Sequence, residues 1–440
     1  MITYKQLSLA DIFADCQEKF ENDKPAFLSL LEHNLKLDEF ISISFRNHFY
    51  ASTGRPRKYP LHAMLWALIL QRIFSIPTDS LLIVFLQYSK ELKNFCGFKK
   101  VPDASKITRF KQDFLLDLQA MFHTLVDVTE PICQDIDKSY NPYKAAYGSM
   151  PSHATANPAI KQIYINGHFC YVFKFGMITN GLGIVRSIQF YNNQFFKDHP
   201  EIDVDKKSDS PDEDKSVHDA RLLIPTLNDF FMKHPLIHAK TFLGDSAFDT
   251  VGIYKSLLRD LHFEKAYIPL NHRSKLENVD YSINGEGIPC CPKDASLAMK
   301  YEGTSKLRSG VTRYKFVCTK IRWQKRVNGK HHRVCQCDNP CTDSSCGRMV
   351  YLYPEKNLRA YPGTLRGTEE WDNTYKVRVA VEKTINHYKD SYCLAGRRTQ
   401  NEKTLHADLL LSGITQLLTV VLADKIHEHK YIRSLKPLIA

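Results

Sequence analysis

Tyr375, Arg378, Glu382 and Lys389 follow one another at intervals of three, four and seven residues. At 100° per residue a helix brings all four into an arc of roughly 60° on one face. One carboxylate, two cations and a phenol on a common face is the set that metal-dependent phosphoryl transfer needs beside a DNA backbone. A solvated charged face has the same composition, so the weight falls on what else could meet Glu382. Asp245 is the counterpart: it ends the predicted strand Ala239-Lys-Thr-Phe-Leu-Gly-Asp245, and strand ends open at the mouth of an α/β sheet, where ligands bind. Two or three carboxylates there would hold Mg2+ or Mn2+ through oxygen ligands. Such ions activate water or a 3′-hydroxyl and steady the leaving oxygen of an in-line displacement at phosphorus.

Sulfur forms a second concentration. Of twelve cysteines, Cys290, Cys291, Cys318, Cys335, Cys337, Cys341 and Cys346 fall within one short segment. In a chain of this length they do not read as a secreted disulfide framework. Cys318 with Cys335-x-Cys337-x3-Cys341-x4-Cys346 offers enough thiolates for a structural Zn2+ site, although the spacing is not a double CxxC and reduced, unliganded thiols fit it too. Metal binding would supply folding free energy to a loop-rich insertion. Beside it, residues 320–333 hold six Lys or Arg, His331, His332 and Trp323. That suits a phosphate backbone, and a solvated β-ribbon equally.

The elements that must position these groups read in three textures. Up to about residue 135 the pattern is helical, with helices expected at 38–50, 61–74 and 78–92. The basic linker Ser52-Thr-Gly-Arg-Pro-Arg-Lys-Tyr-Pro60 breaks the series. Ser105 is a fair N-cap for a polar helix bearing Lys106, Thr108, Arg109, Lys111 and Gln112. Lys106 and Arg109 would face DNA if this is a helix-turn-helix-like reader; an ordinary bundle with solvated cations fits as well. Beyond Tyr143 the texture turns to strands, with a hairpin around Thr179-Asn-Gly-Leu-Gly183. An acidic loop spans 201–215, and the strand-helix-strand grammar of an α/β fold follows it. A last apolar helix covers about 403–426.

At 440 residues, 43% apolar and 25% charged, the chain has room for two or three globular units. A net charge of +12 suits a polyanionic partner. No apolar leader follows Met1. The apolar stretches 61–74 and 409–423 are interrupted by polar residues and read as buried helices. A soluble, intracellular protein without a membrane partner is expected.

From about Thr53 to Leu422 the chain resembles a bacterial insertion-sequence DDE transposase. The resemblance rests on Gly54-Arg-Pro-Arg-Lys-Tyr, on Gly244-Asp-Ser-Ala-Phe-Asp249 with Tyr267-Ile-Pro-Leu-Asn-His-Arg273, and on Arg366-Gly-Thr-Glu-Glu-Trp371. It rests further on Tyr375, Arg378, Glu382 and Lys389, which match the family's Tyr-(2)-Arg-(3)-Glu-(6)-Lys signature. The resemblance implies an α/β, RNase H-like core. It makes Asp245 and Glu382 the second and third catalytic carboxylates and ligands of Mg2+ or Mn2+. Tyr375, Arg378 and Lys389 would contact DNA phosphates; Trp371 would stack on an unpaired base or pack a core. It also implies cutting and joining at terminal inverted repeats and target DNA, a homodimer on double-stranded DNA, and a cytoplasmic, nucleoid-associated location.

The first catalytic aspartate has no counterpart. The family pattern places a strand ending in Asp ahead of the hairpin, yet no apolar run ends in Asp between Phe122 and Ile163. Asp127, Asp135 and Asp137 fall in helical periodicity. A lost first strand is expected, and with it a chain that still binds DNA but is catalytically defective. The expected divisions are a helical DNA-binding region at 1–135, the first part of the core at 136–273, a cysteine-rich β insertion at 274–370, and the Glu382 helix with closing helices at 371–440.

Overall fold

The computed structural model describes residues 26–439 apart from 52, 54–55, 138–141, 152–160, 166–167, 203–217, 272–280, 309, 354–357 and 396–400. The chain start, Gly54 and Arg55 of the basic linker, most of the acidic loop, and His272 and Arg273 lie outside the described residues.

Helices α1 (Ala26–Asn34), α2 (Ile43–Phe49), α3 (Leu61–Ile73), α4 (Asp79–Tyr88), α5 (Lys90–Cys96), α6 (Ala104–Asp113) and α7 (Leu115–Ile136) come first. Hydroxyl caps set several of their starts. Thr78 accepts the Leu81 N–H and Ser89 the Leu92 N–H, so the helix expected over 78–92 is two. Asp103, not Ser105, caps α6 by accepting the Lys106 N–H.

The main sheet is built from β1 (Pro142–Pro151), β2 (Lys161–Ile165), β3 (His168–Thr179), β4 (Val185–Phe190) and, after α8 (Asn193–Asp198) and α9 (Asp219–Lys233), β5 (Thr241–Leu243). Helix α10 (Val251–Lys255) leads to β6 (Lys265–Tyr267). The order is β2-β3-β1-β5-β6, with β4 also paired to β3. Strand β1 runs antiparallel to β3 and parallel to β5, and β5 parallel to β6. A strand therefore stands in the stretch where one was expected to be lost. Pro142-Tyr-Lys-Ala-Ala-Tyr147 carries a lysine where a central strand would be apolar. Partners on both edges impose the extended form, overriding local preference.

The insertion holds β7 (Ser282–Ile283), β8 (Pro289–Cys291) and β9 (Asp294–Ala298) as one small sheet. Next come β10 (Lys300–Lys306), β11 (Thr312–Val317), β12 (Ile321–Lys325), β13 (His331–Cys335) and β14 (Met349–Leu352). Strands β10, β11 and β14 form a sheet over Met299, Phe316, Val350 and Leu352, while β12 and β13 form a separate two-stranded ribbon. Helices α11 (Glu369–Lys376), α12 (Val379–Asp390) and α13 (Glu402–Lys425) close the chain.

Helix α13 is long and apolar enough to cross a membrane, but 94% of its apolar window is buried inside the protein. It packs on α3, α6, α7 and β4, and one apolar cluster runs from Phe27 through this helix to the sheet. The boundary expected at 135 is thus crossed by a shared core. Gly413 is required at that crossing, since a Cβ there would fall 2.6 Å from the Phe122 ring. Charges buried in the helical layer are paired: Arg72 and Lys111 both meet Asp408, and Lys111 also meets Asp79. Lys111, expected on a solvated basic face, is fully buried.

Candidate active site

Thr368 starts α11 by accepting the Trp371 N–H. The helix expected to run unbroken through Tyr375 and Lys389 is instead tightened at Val377 and Arg378, where i→i−3 bonds replace i→i−4 bonds. Val377 N–H donates to the Thr374 carbonyl, Arg378 N–H to Tyr375 and Ala380 N–H to Val377. The Lys144 ammonium, reaching from β1, donates to the Val377 carbonyl at 2.6 Å. Two turns farther on, the Thr384 hydroxyl donates to the Gly183 carbonyl in the β3–β4 turn. Gly183 has φ +77°, and a Cβ on it would stand 3.2 Å from the Thr384 hydroxyl, so the turn can close on α12 only as glycine. These two contacts pin the junction of α11 and α12 to the sheet.

Three of the four spaced residues, Tyr375, Arg378 and Glu382, come together along that junction. Arg378 pairs with Glu382 at 2.7 Å, and its guanidinium lies 5.7 Å from the Tyr375 ring centroid. Tyr375 stacks on Trp371 with centroids 6.0 Å apart, and Trp371 meets Tyr267 at 4.9 Å. Leu243, Tyr267 and Trp371 form an apolar cluster against which Tyr375 packs. Asp245 emerges two residues after Leu243. It is exposed, and its carboxylate accepts the Ala247 N–H at 2.6 Å. Gly244 before it is sterically required, because a Cβ would lie 2.7 Å from the Phe248 ring.

The Tyr375 phenol registers both acids. Burial pushes its pKa up, Arg378 pulls it down, and Asp245 and Glu382 push it up again. The strand-end acid and the helix acid are therefore both within electrostatic reach of one phenol. Glu382 keeps about half of its side-chain surface in solvent. Lys389 lies on the same helix, roughly 10 Å along the axis at 1.5 Å per residue. No described contact joins its side chain to the pair.

Other expected site residues fall elsewhere. Trp371 is only 6% exposed, held between Tyr267 and Tyr375 with Arg366 at 5.4 Å, so it packs the core and has no free face for a base. Lys106 and Arg109 are exposed on α6 and line a surface cavity of about 770 Å³ with Arg57, Lys58 and Tyr59. Cys335, Cys337, Cys341 and Cys346 are half-buried, Cys318 is buried, and all are free thiols. Burial raises the Cys318 and Cys341 pKa values, and Cys291 adds to the rise at Cys341. Among the described residues no three His, Cys, Asp or Glu side chains form a metal cage, so the five expected zinc ligands do not make one as placed.

Several residues that shape the site were not singled out from sequence. Strand pairing sets Lys144 beside Leu243, the last paired position of β1 and β5, and Ala146 follows two residues farther along β1. Lys144 is buried, and burial pulls its pKa down to about 7, with Arg433 acting the same way. Asp249 is buried and accepts from Arg359, the Tyr254 hydroxyl and the Asn271 N–H. Arg366 donates to the Ile268 and Arg359 carbonyls and to the Tyr254 hydroxyl. A lysine in a weak strand and arginines in a glycine-rich stretch carry no sequence signal for such roles.

Residues 15–113 match the model of a family described as a transposase domain (DUF772), less than a quarter of the chain. A solved piggyBac transposase synaptic complex with hairpin DNA is 10% identical with a TM-score of 0.42, covering 91% of this chain and 78% of that one. A likeness that loose bears on neither fold nor function. No curated protein matches.

Proposed function

We propose that this chain is a DNA transposase of the DDE type with an RNase H-like core, and that its centre is one carboxylate short. The observation that carries the reading is the place of Tyr375, packed against Leu243 two residues before Asp245 and beside the Arg378 guanidinium that pairs with Glu382. The transposase-domain match at 15–113 supports it, as does the surplus of positive charge.

Oxygen donors suit a hard divalent ion, Mg2+ or Mn2+, and Asp245 with Glu382 would hold it. Bound there, the ion supplies Lewis-acid activation of an attacking hydroxyl and charge relief at phosphorus. The protein's own part is orientation. Arg378 and Lys389 neutralise phosphates along α11 and α12, Tyr375 offers a phenolic donor, and Lys144 and Thr384 hold the helix junction over the sheet. The DNA would be the terminal inverted repeats of the chain's own element and the target, bound by two copies in the cytoplasm.

Ala146, two residues beyond the last β1–β5 pair, lies on the strand next to the one that leads to Asp245, and an acid there would add a third oxygen ligand. The second reading, a copy that binds DNA without cutting it, is favoured by that residue. With Mg2+ or Mn2+ and duplexes bearing the element ends, the purified chain is expected to bind but not nick. Ala146→Asp should confer metal-dependent nicking that Glu382→Ala removes again. Efficient strand transfer by the unaltered chain would refute the missing-acid account. Equal competition by random-sequence duplex would refute recognition of specific ends.

A further inference from the structure

The β12–β13 hairpin stands apart from the sheet chemistry. Among the described residues its strands pair only with each other, from Ile321 opposite Cys335 out to Lys325 opposite His331. The tip closes through Arg326 N–H to the Lys330 carbonyl, with Gly329 at φ +78°. The base is anchored: Gln336 N–H donates to the Lys320 carbonyl, and Arg333 pairs with Glu302. Between anchor and tip, residues 322–330 are all exposed.

From Lys320 to Cys337 the chain has six Lys or Arg and no carboxylate. Lys325, Arg326 and Lys330 crowd the tip. Trp323 is 60% exposed and lies opposite Arg333, whose guanidinium sits 4.8 Å from the indole centroid. A two-stranded ribbon with Lys325, Arg326 and Lys330 exposed at its tip has the width that the major groove of B-form DNA admits, whereas the deep, narrow groove of double-stranded RNA excludes it. A membrane-seeking loop would carry apolar residues at its tip. Here Val327 is flanked by Arg326, Asn328, Gly329 and Lys330.

We infer that this hairpin is a second DNA-contact surface, laid along duplex phosphates and the major groove, without sequence reading and separate from the Asp245–Glu382 centre. It shares with the proposed function only the DNA ligand, and its test needs no cleavage.

Trp323 supplies the reporter, since Trp66 and Trp371 are both buried. In the full-length chain, iodide quenching of Trp323 emission is expected to fall when a random-sequence 30-base-pair duplex is added. Trp323→Phe should abolish that response. The triple variant Lys325→Glu, Arg326→Glu, Lys330→Glu alters only exposed positions. It should weaken duplex affinity about ten-fold or more and flatten the log–log salt dependence by roughly two to three. Unchanged affinity and salt dependence in that variant would overturn the inference while leaving the proposed function standing. Absence of any duplex binding by the unaltered chain at low salt would overturn both. Double-stranded RNA binding as tightly through the hairpin, or a Trp323 response to anionic phosphatidylglycerol vesicles but not to duplex, would overturn the choice of partner.

Discussion

Asp245 and Asp249 leave the same strand four residues apart, one toward solvent and one into the protein. Asp249 is met on every side: two guanidinium nitrogens of Arg359, the Tyr254 hydroxyl and a backbone N–H fill its lone pairs. Arg366 braces the same Tyr254 and the carbonyls where the insertion rejoins the core. Asp245 caps one short turn and is otherwise exposed, within electrostatic reach of Tyr375. The difference separates a carboxylate whose capacity is spent on architecture from one left exposed, the one proposed to hold a ligand. Both belong to a single six-residue motif.

Breaking that contrast should give the largest effect on folding. Asp249→Ala leaves Arg359 buried without its partner, and losing one side of a buried pair costs about 3–5 kcal/mol. Asp245→Asn keeps a capping oxygen and should cost less than about 0.5 kcal/mol, as exposed substitutions do. Urea-unfolding midpoints of the two variants test this directly. Equal losses would show that Asp245 is structural after all.

Lys144 sharpens the comparison by pH. It is a buried cation placed against carbonyls, and burial with Arg433 pulls its pKa down to about 7 against the opposing pull of Asp137. In the unfolded chain a lysine titrates near 10.4. Between those values the unfolded chain binds the proton and the folded one does not. Stability should therefore climb as pH rises from about 7 toward 10, by at most about 1.4 kcal/mol per unit, and this group adds no slope below 7. Lys144→Met should flatten the climb, read as the change in urea midpoint between pH 7.5 and 9.5. An identical profile in the variant would mean that Lys144 stays charged when folded.

Asp245 and Glu382 could be singled out as candidates because each sits where periodicity speaks: Asp245 after an apolar run, Glu382 in a helical spacing. Helix α13 was legible from the length of its mostly apolar stretch. Strand β1 was not, because its extended form comes from β3 and β5 rather than from its own residues. The tightened turn at Val377 was hidden too, since it depends on a lysine more than two hundred residues earlier. Trp371 could be read as a stacking platform or as core until burial decided it. The Asp249 clamp needed Arg359, which lies beyond the insertion, and no local pattern joins residues so far apart.

The smallest expected effect on stability tests the functional half of the contrast. Arg378 and Glu382 make a partly exposed i,i+4 pair, of a kind that contributes about 0.3–0.5 kcal/mol. Arg378→Ala should therefore leave the urea midpoint almost where it was. If Arg378 neutralises a phosphate, the same substitution reduces the salt dependence of duplex binding by about one in log–log slope. Asp249→Ala should behave in reverse, lowering stability while the folded fraction binds with unaltered slope. A variant set in which stability and salt slope move together would mean that the open acid and the clamped acid are parts of one structural unit. Independent movement is what a ligand site resting on a separately stabilised turn requires.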